Sequence, residues 1–190
     1  MTQGIDAMFA GMADAPEQGV TGNKINVEGD YIIEVQSSKG LKGHHGPKLI
    51  VEFVIDEAKP ADPENKPGPG AGASRSWAAK WDGNDKTALA DIKAFALAAF
   101  APMFATVPKK DGTPYTQREK DAVATYAAYA AAGPVLAGDA SNVARRKLAE
   151  FFGLESFDGD PFEGCKVRLS TKPKKTKAGF DFTVHLWSEA

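Results

Sequence analysis

The chain holds a single cysteine, Cys165, among its 190 residues. One thiol excludes an internal disulfide and any zinc site built on paired cysteines, and a reducing cytosol is the compartment expected for such a protein. Histidine is scarce as well. His44 and His45 are adjacent in a Gly-rich segment and His185 stands alone, so no HExxH chelate exists. GxSxG, GxxxxGK[ST] and a helix-opening GxGxxG are also missing. The nearest approach to a metal site is Asp158 and Asp160 in FDGDPFEG, an incomplete calcium loop that reads as a turn. No enzyme, cofactor or metal centre is expected. No stretch of about 18 apolar residues is present, which predicts no membrane span. MTQGIDAMFAGMADAPEQG carries neither the basic start nor the apolar core of a signal peptide.

What is present is ordinary globular material: 43% hydrophobic and 25% charged residues, enough chain for one domain with a buried core. Residues 1–22, rich in Gly, Ala and Met, read as a flexible arm whose Met8, Phe9 and Met12 could dock on a partner or on the body of the protein. Residues 23–190 read as a single domain. Tyr31, Ile33 and Val35 alternate with Ile32 and Glu34. After SSKGLKGHHGPK, read as a loop, Leu49, Val51, Phe53 and Ile55 alternate with Ile50, Glu52 and Val54. KPADPENKPGPGAGAS is a Pro/Gly-rich excursion, read as a long mobile loop. ASRSWAAKW supplies a third strand with Arg75, Trp77, Ala79 and Trp81 on one face.

Between about residues 84 and 153 the period becomes helical. Asn84 or Asp85 can cap the first helix, Thr116 and Glu119 have capping-box spacing before the second, and Gly153 stops the third. Two strands follow. In one, Cys165, Val167 and Leu169 alternate with Lys166 and Arg168. In the other, Phe180, Phe182, Val184 and Leu186 alternate with Asp181, Thr183 and His185, and the apolar set is expected to face the core. Five antiparallel strands with a helical insertion between the third and fourth predict an OB-like β-barrel, α+β overall.

The residues that point to function are basic and aromatic. Six of the 23 basic residues, and none of the 25 acids, lie between Cys165 and Phe180: Lys166, Arg168, Lys172, Lys174, Lys175 and Lys177. A second basic segment holds Lys39, Lys42 and Lys48 beside His44 and His45. In an OB barrel these are the two loops that flank the ligand groove. Lysines at about the 6–7 Å phosphate spacing of a single strand suit a polyanion. Exposed base faces stack on aromatics, for which Trp77, Trp81 and Trp187 are the candidates, with Arg75, Lys80 and His185 nearby. Trp187, on the polar side of the last strand, is the preferred stacking residue.

The strings INVEGDYIIEVQSSKG, GPKLIVEFVIDEA, GASRSWAAKW, DIKAFALAAF and FEGCKVRLSTKPKKTKAGFDFTVHLW resemble the single-stranded DNA-binding proteins of tailed bacteriophages and related recombination-associated phage proteins. The matching residues are Gly29 and Tyr31, Gly46 and Pro47, Val51 to Phe53, and Gly164 to Leu169. The resemblance covers most of residues 24–58, 73–100 and 162–187. It implies an OB-fold, sequence-independent binding of single-stranded DNA, and a role in phage replication, recombination or repair in the host cytoplasm. Phage replication or recombination proteins would then be partners. The Ala/Tyr-rich helix AVATYAAYAAAG lies outside the resemblance. With Tyr126 and Tyr129 it offers either an oligomerisation or partner-binding face or a cover for one end of the barrel. The competing function is a phage structural or assembly protein whose β-domain binds protein. A metal-dependent nuclease acting through Asp158 and Asp160 is a third reading.

Overall fold

The structure, a computed structural model, describes residues 24–44, 46–81, 86–107, 109, 112–135, 139–176, 179 and 181–190. The arm at 1–22, the caps Asn84 and Asp85, and the candidate residues His45 and Lys177 lie outside the described residues. The elements run β1 (Gly29–Gly43), β2 (Gly46–Pro60), β3 (Ser74–Lys80), α1 (Lys86–Thr106), α2 (Gln117–Ala132), a 3-10 turn (Gly133–Val135), α3 (Ala140–Phe152), β4 (Lys166–Lys175) and β5 (Asp181–Glu189).

The five strands form one antiparallel sheet in the order β3-β2-β1-β4-β5. Alternation places Tyr31, Ile33 and Val35 of β1, Leu49, Val51, Phe53 and Ile55 of β2, and Val167 and Leu169 of β4 in the core, as their period requires. The expected closed barrel is not formed. β3 and β5 are the two edges, and no backbone ladder joins them among the described residues. Side chains fill the gap instead. Trp77 of β3 and Trp187 of β5 meet edge to face with centroids 5.1 Å apart. Phe95 of α1 lies 5.5 Å from the first ring and 5.1 Å from the second.

α1 therefore lies along the open seam, packing on β5, β3 and β4. Its stretch Ala88–Thr106 is long and apolar enough to cross a membrane by composition, against the sequence expectation. Here its apolar residues Ile92, Phe95, Ala96, Ala99 and Phe100 are buried in the core.

Two readings of the β1–β2 region are corrected. SSKGLKGHHGPK is mostly strand, because β1 pairs with β2 as far as Gly43 opposite Gly46. Backbone pairing does not depend on apolar side chains, so a Gly/Lys-rich sequence can still form a ladder. Gly40 is required at its position: a Cβ there would lie 1.8 Å from the carbonyl oxygen of Ala132, where α2 ends against the hairpin. β2 likewise continues to Pro60, and Asp62 then turns the chain by accepting from the Asn65 backbone and amide nitrogens at 3.2 and 3.0 Å.

α2 begins with the expected capping box. Thr116 Oγ1 accepts from Glu119 N–H at 3.3 Å, and Glu119 Oε2 accepts from Thr116 N–H at 2.7 Å. The Thr116 N–H, Lys109 at 2.9 Å and the Thr116 hydroxyl at 2.8 Å hold the Glu119 carboxyl down at about 2. Ala124, Ala127, Ala128, Ala130, Ala131 and Ala132 are all buried, as α2 packs on α3 and α1 and, at its C-terminal end, on the β1–β2 hairpin. α3 ends at Gly153 in the left-handed region, as its sequence predicts. From α3, Arg145 donates to the carbonyls of Gly159 (2.5 Å), Ala130 (3.2 Å) and Phe157 (3.3 Å), tying α2 to the loop before β4.

Candidate nucleic-acid interface

The register between β4 and β5 decides which side chains face outward. Leu169 pairs with Trp187 and Thr171 with His185. Residues opposite each other in an antiparallel pair share a face, and Leu169 and Thr171 are buried. Trp187 and His185 consequently face inward, and the expected assignment of β5 is inverted. Phe182 and Leu186, expected in the core, are 44% and 47% exposed.

This inversion removes Trp187 from the candidate surface, and core packing removes Trp77. Trp77 is 5% exposed and locked between Phe95 and Trp187. Trp187 is half-buried in the same seam, and its indole N–H is enclosed without an acceptor among the described residues. Trp81 rests edge-on against Tyr129 at 5.0 Å. Neither Trp77 nor Trp187 presents an open ring face for a base, and Trp81 is half-buried. His185 stacks on Trp187 and makes a 3.2 Å hydrogen bond through Nε2 with the Ile25 carbonyl. Burial pushes its pKa below 6.5, the nearby Lys24 charge pushes the same way, and the Ile25 bond opposes both.

Several predicted cations are already matched by acids. Lys166 lies 2.6 Å from Asp56 and 3.5 Å from Glu34. Lys39 pairs with Glu52 at 2.8 Å. Arg75 donates to the Ser74 carbonyl at 2.7 Å, on the Trp77 face of β3. The two basic segments also do not adjoin. Thr171 pairs with Gly29 at the start of β1, whereas Lys42 pairs with Pro47 thirteen residues further along it. At about 3.3 Å per residue that is roughly 40 Å of strand. At the far end Lys48 and Lys80 oppose each other across β2 and β3, with Lys42 and His44 at the hairpin tip.

What remains is the outer face of the β4–β5 ribbon. Arg168, Ser170, Lys172 and Lys174 of β4 stand directly across from Ser188, Leu186, Val184 and Phe182 of β5. Opposite side chains in such a ladder have Cβ atoms about 5 Å apart. Phe182 is the most exposed Phe, Tyr or Trp ring among the described residues, and Lys174 is its cross-strand neighbour. Lys175 at the tip lies 3.8 Å from Asp181, with both side chains exposed. Sequence reasoning missed Phe182 because it treated β5 as facing the core with its apolar set. The signal that could have found it is the pairing of Leu169 with Trp187.

The carboxylates proposed for a nuclease have structural work. Asp160 accepts from the Ser38 backbone and hydroxyl and from Phe162 N–H at 2.9 Å, holding the β1 irregularity at Val35/Ser37. Asp158 accepts from the Ser156 hydroxyl at 2.5 Å. Among the described residues no group of three His, Cys, Asp or Glu side chains is placed to hold a metal ion. Cys165 is pushed up to about 11 by burial and by Asp160, which leaves it a poor nucleophile. No family model, no curated protein and no solved structure matches this chain.

Proposed function

We propose that this chain is a non-enzymatic protein that binds single-stranded DNA without sequence preference. The observation that carries the reading is the outer face of the β4–β5 ribbon, where Lys172 and Lys174 border an exposed Phe182. Ammonium groups on alternate residues of one strand suit successive phosphates, and an accessible ring across the ladder from Lys174 suits an unpaired base, whose stacking contributes about 1–3 kcal/mol. The sheet is read as a partly open OB-like barrel, with the β3–β5 seam sealed by Trp77, Trp187 and Phe95. The phage resemblance adds a role in replication, recombination or repair in the host cytoplasm, beside proteins of those processes.

Anisotropy of labelled oligo-dT against a duplex control tests the reading. The expected result is binding to oligo-dT, weakened by Phe182→Ala and by Lys172→Ala/Lys174→Ala, and weaker binding to duplex. Equal affinity for duplex, or indifference to all three substitutions, would sink it. Trp77 and Trp187 should contribute little quenching, since both are packed in the seam.

A protein-binding role in phage assembly is the second reading, and one observation favours it: Phe182 and Leu186 are apolar and exposed on an edge strand. Stoichiometric self- or partner association without nucleic acid, unchanged by Lys172→Glu/Lys174→Glu, would select it.

A further inference from the structure

We infer, resting on the DNA-binding reading above, that the single strand lies lengthwise on the outer face of the β4–β5 ribbon. Its phosphates follow β4 as far as Arg168, and its bases follow β5, where Leu186 is a second base contact beyond Phe182. Asp30 walls off the flank and keeps the strand from crossing the sheet.

Spacing sets the path. Four cross-strand rows succeed one another on this face: Lys174 beside Phe182, Lys172 beside Val184, Ser170 beside Leu186, and Arg168 beside Ser188. Successive rows are two residues apart, about 6.6 Å along an extended strand, close to the phosphate repeat of an extended single strand at about 6–7 Å. Each nucleotide therefore advances one row. From Lys174 to Arg168 the β4 side runs about 20 Å, which three phosphate steps also cover. The two sides differ in chemistry. Outward residues of β4 over these rows are three cations and a hydroxyl, and those of β5 carry no charge. Phe182 and Leu186, both exposed, stand two rows apart, so they meet bases two nucleotides apart.

Charge closes the crosswise alternative. A strand crossing from Leu186 over Ser170 reaches Asp30 on β1, which pairs with Ser170 and accepts from its hydroxyl. On the same face stand Glu34 of β1, opposite Lys166, and Glu57 of β2, opposite Ile32. Lys59, the cation opposite Asp30 on β2, lies 3.8 Å from Glu57. Phosphates are repelled at this margin and turned along β4. At the other margin β5 is the edge of the sheet, and no strand lies beyond it among the described residues to obstruct overhanging bases. Asp30 also makes the Ser170 row the weakest of the four, since it supplies an acid where the neighbouring rows supply Lys172 and Arg168.

The test is anisotropy of labelled dT8 against salt, with four single variants whose side chains are all exposed. Thermal unfolding of each checks that the fold is kept. Arg168→Ala should make the slope of log K against log salt shallower by about 0.7. Leu186→Ala should weaken binding about three- to fivefold with the slope unchanged. Asp30→Asn should tighten binding about two- to threefold at low salt, because it removes a like charge beside the phosphates. Lys59→Ala should change nothing, as no phosphate reaches β2. A loss with Lys59→Ala as large as that with Arg168→Ala would overturn the lengthwise path in favour of a crosswise one. Indifference to both Arg168→Ala and Leu186→Ala, in a protein whose binding still falls with Phe182→Ala, would overturn it too and leave the DNA reading standing. Absence of dT8 binding by the unaltered protein would refute both.

Discussion

Charge and stacking on the β4–β5 ribbon should separate when oligo-dT affinity is measured against salt. Arg168, Lys172, Lys174 and Lys175 are the cations available there, since Lys166 is held between Asp56 and Glu34. Each phosphate neutralised on a single strand contributes about −0.7 to the slope of log K against log salt, so four contacts give about −3. Between 50 and 200 mM salt the protein should lose about 50-fold in affinity. Lys172→Ala/Lys174→Ala should halve the slope to about −1.4, with a loss of only about sevenfold over the same range. Phe182→Ala should act on the other axis. Removing a stacking ring costs about 1–3 kcal/mol, a loss of about 5- to 150-fold at every salt concentration with the slope unchanged. Anisotropy titrations at four or five salt concentrations measure both quantities. A slope altered by Phe182→Ala, or left at −3 by the double lysine variant, would refute the assignment of roles.

Three further outcomes test the fold beneath the ribbon. Trp77→Ala should lower stability by about 3–5 kcal/mol in urea unfolding, because it empties the centre of the seam. Trp187→Phe should cost under about 1.5 kcal/mol by the same assay, since it keeps the ring packing and removes an enclosed N–H that finds no acceptor among the described residues. His185 has a folded-state pKa below its unfolded value of 6.5. Its contribution is therefore complete above pH 6.5 and is lost as pH falls from there through the folded pKa, where the unfolded chain takes up the proton first. His185→Gln should flatten that part of the stability profile, and an unchanged profile would assign the pH dependence elsewhere. Gly40→Ala should cost at least about 2 kcal/mol in thermal or urea unfolding, as its Cβ meets the backbone of α2 rather than a movable side chain.

The sequence was legible where each element carried its own phase. In β1, β2 and β4 one alternating set is wholly apolar while the other is broken by charges (Asp30 and Glu34, Glu52, Lys166 and Arg168), so the core face follows from alternation alone. Thr116 with Glu119, and Gly153, marked helix ends through local backbone chemistry that tertiary contacts do not alter. β5 was illegible because both sets can be buried: Phe182, Val184 and Leu186 on one side, Thr183, His185 and Trp187 on the other. Alternation gives the period and leaves the phase open, and pairing with β4 supplies it. The aromatic half of the candidate site moved with that phase, from Trp187 to Phe182. The basic half kept its lysines on β4 and lost Lys166, whose partners lie far from it in sequence: Asp56 is 110 residues away. The open seam was hidden for a related reason, since strand count and order do not say whether two edges meet through backbone or through indole rings.

Pairing of charges also explains why a chain with formal charge −2 can offer a site to a polyanion. On the outer sheet face, acids of β1 and β2 neutralise cations one by one: Glu34 and Asp56 take Lys166, and Glu52 takes Lys39. β1 stops pairing with β4 at Gly29, opposite Thr171. Beyond that point β4 and β5 run on as a two-stranded ribbon, and the acids of β1 and β2 no longer face the lysines. The boundary of the positive patch is therefore set by the topology that ends β1. Placing the lysines past the last three-stranded row removes their counter-charges without removing acids from the body. A short, steep positive field on an acidic protein favours a brief footprint of a few phosphates over coating along its length.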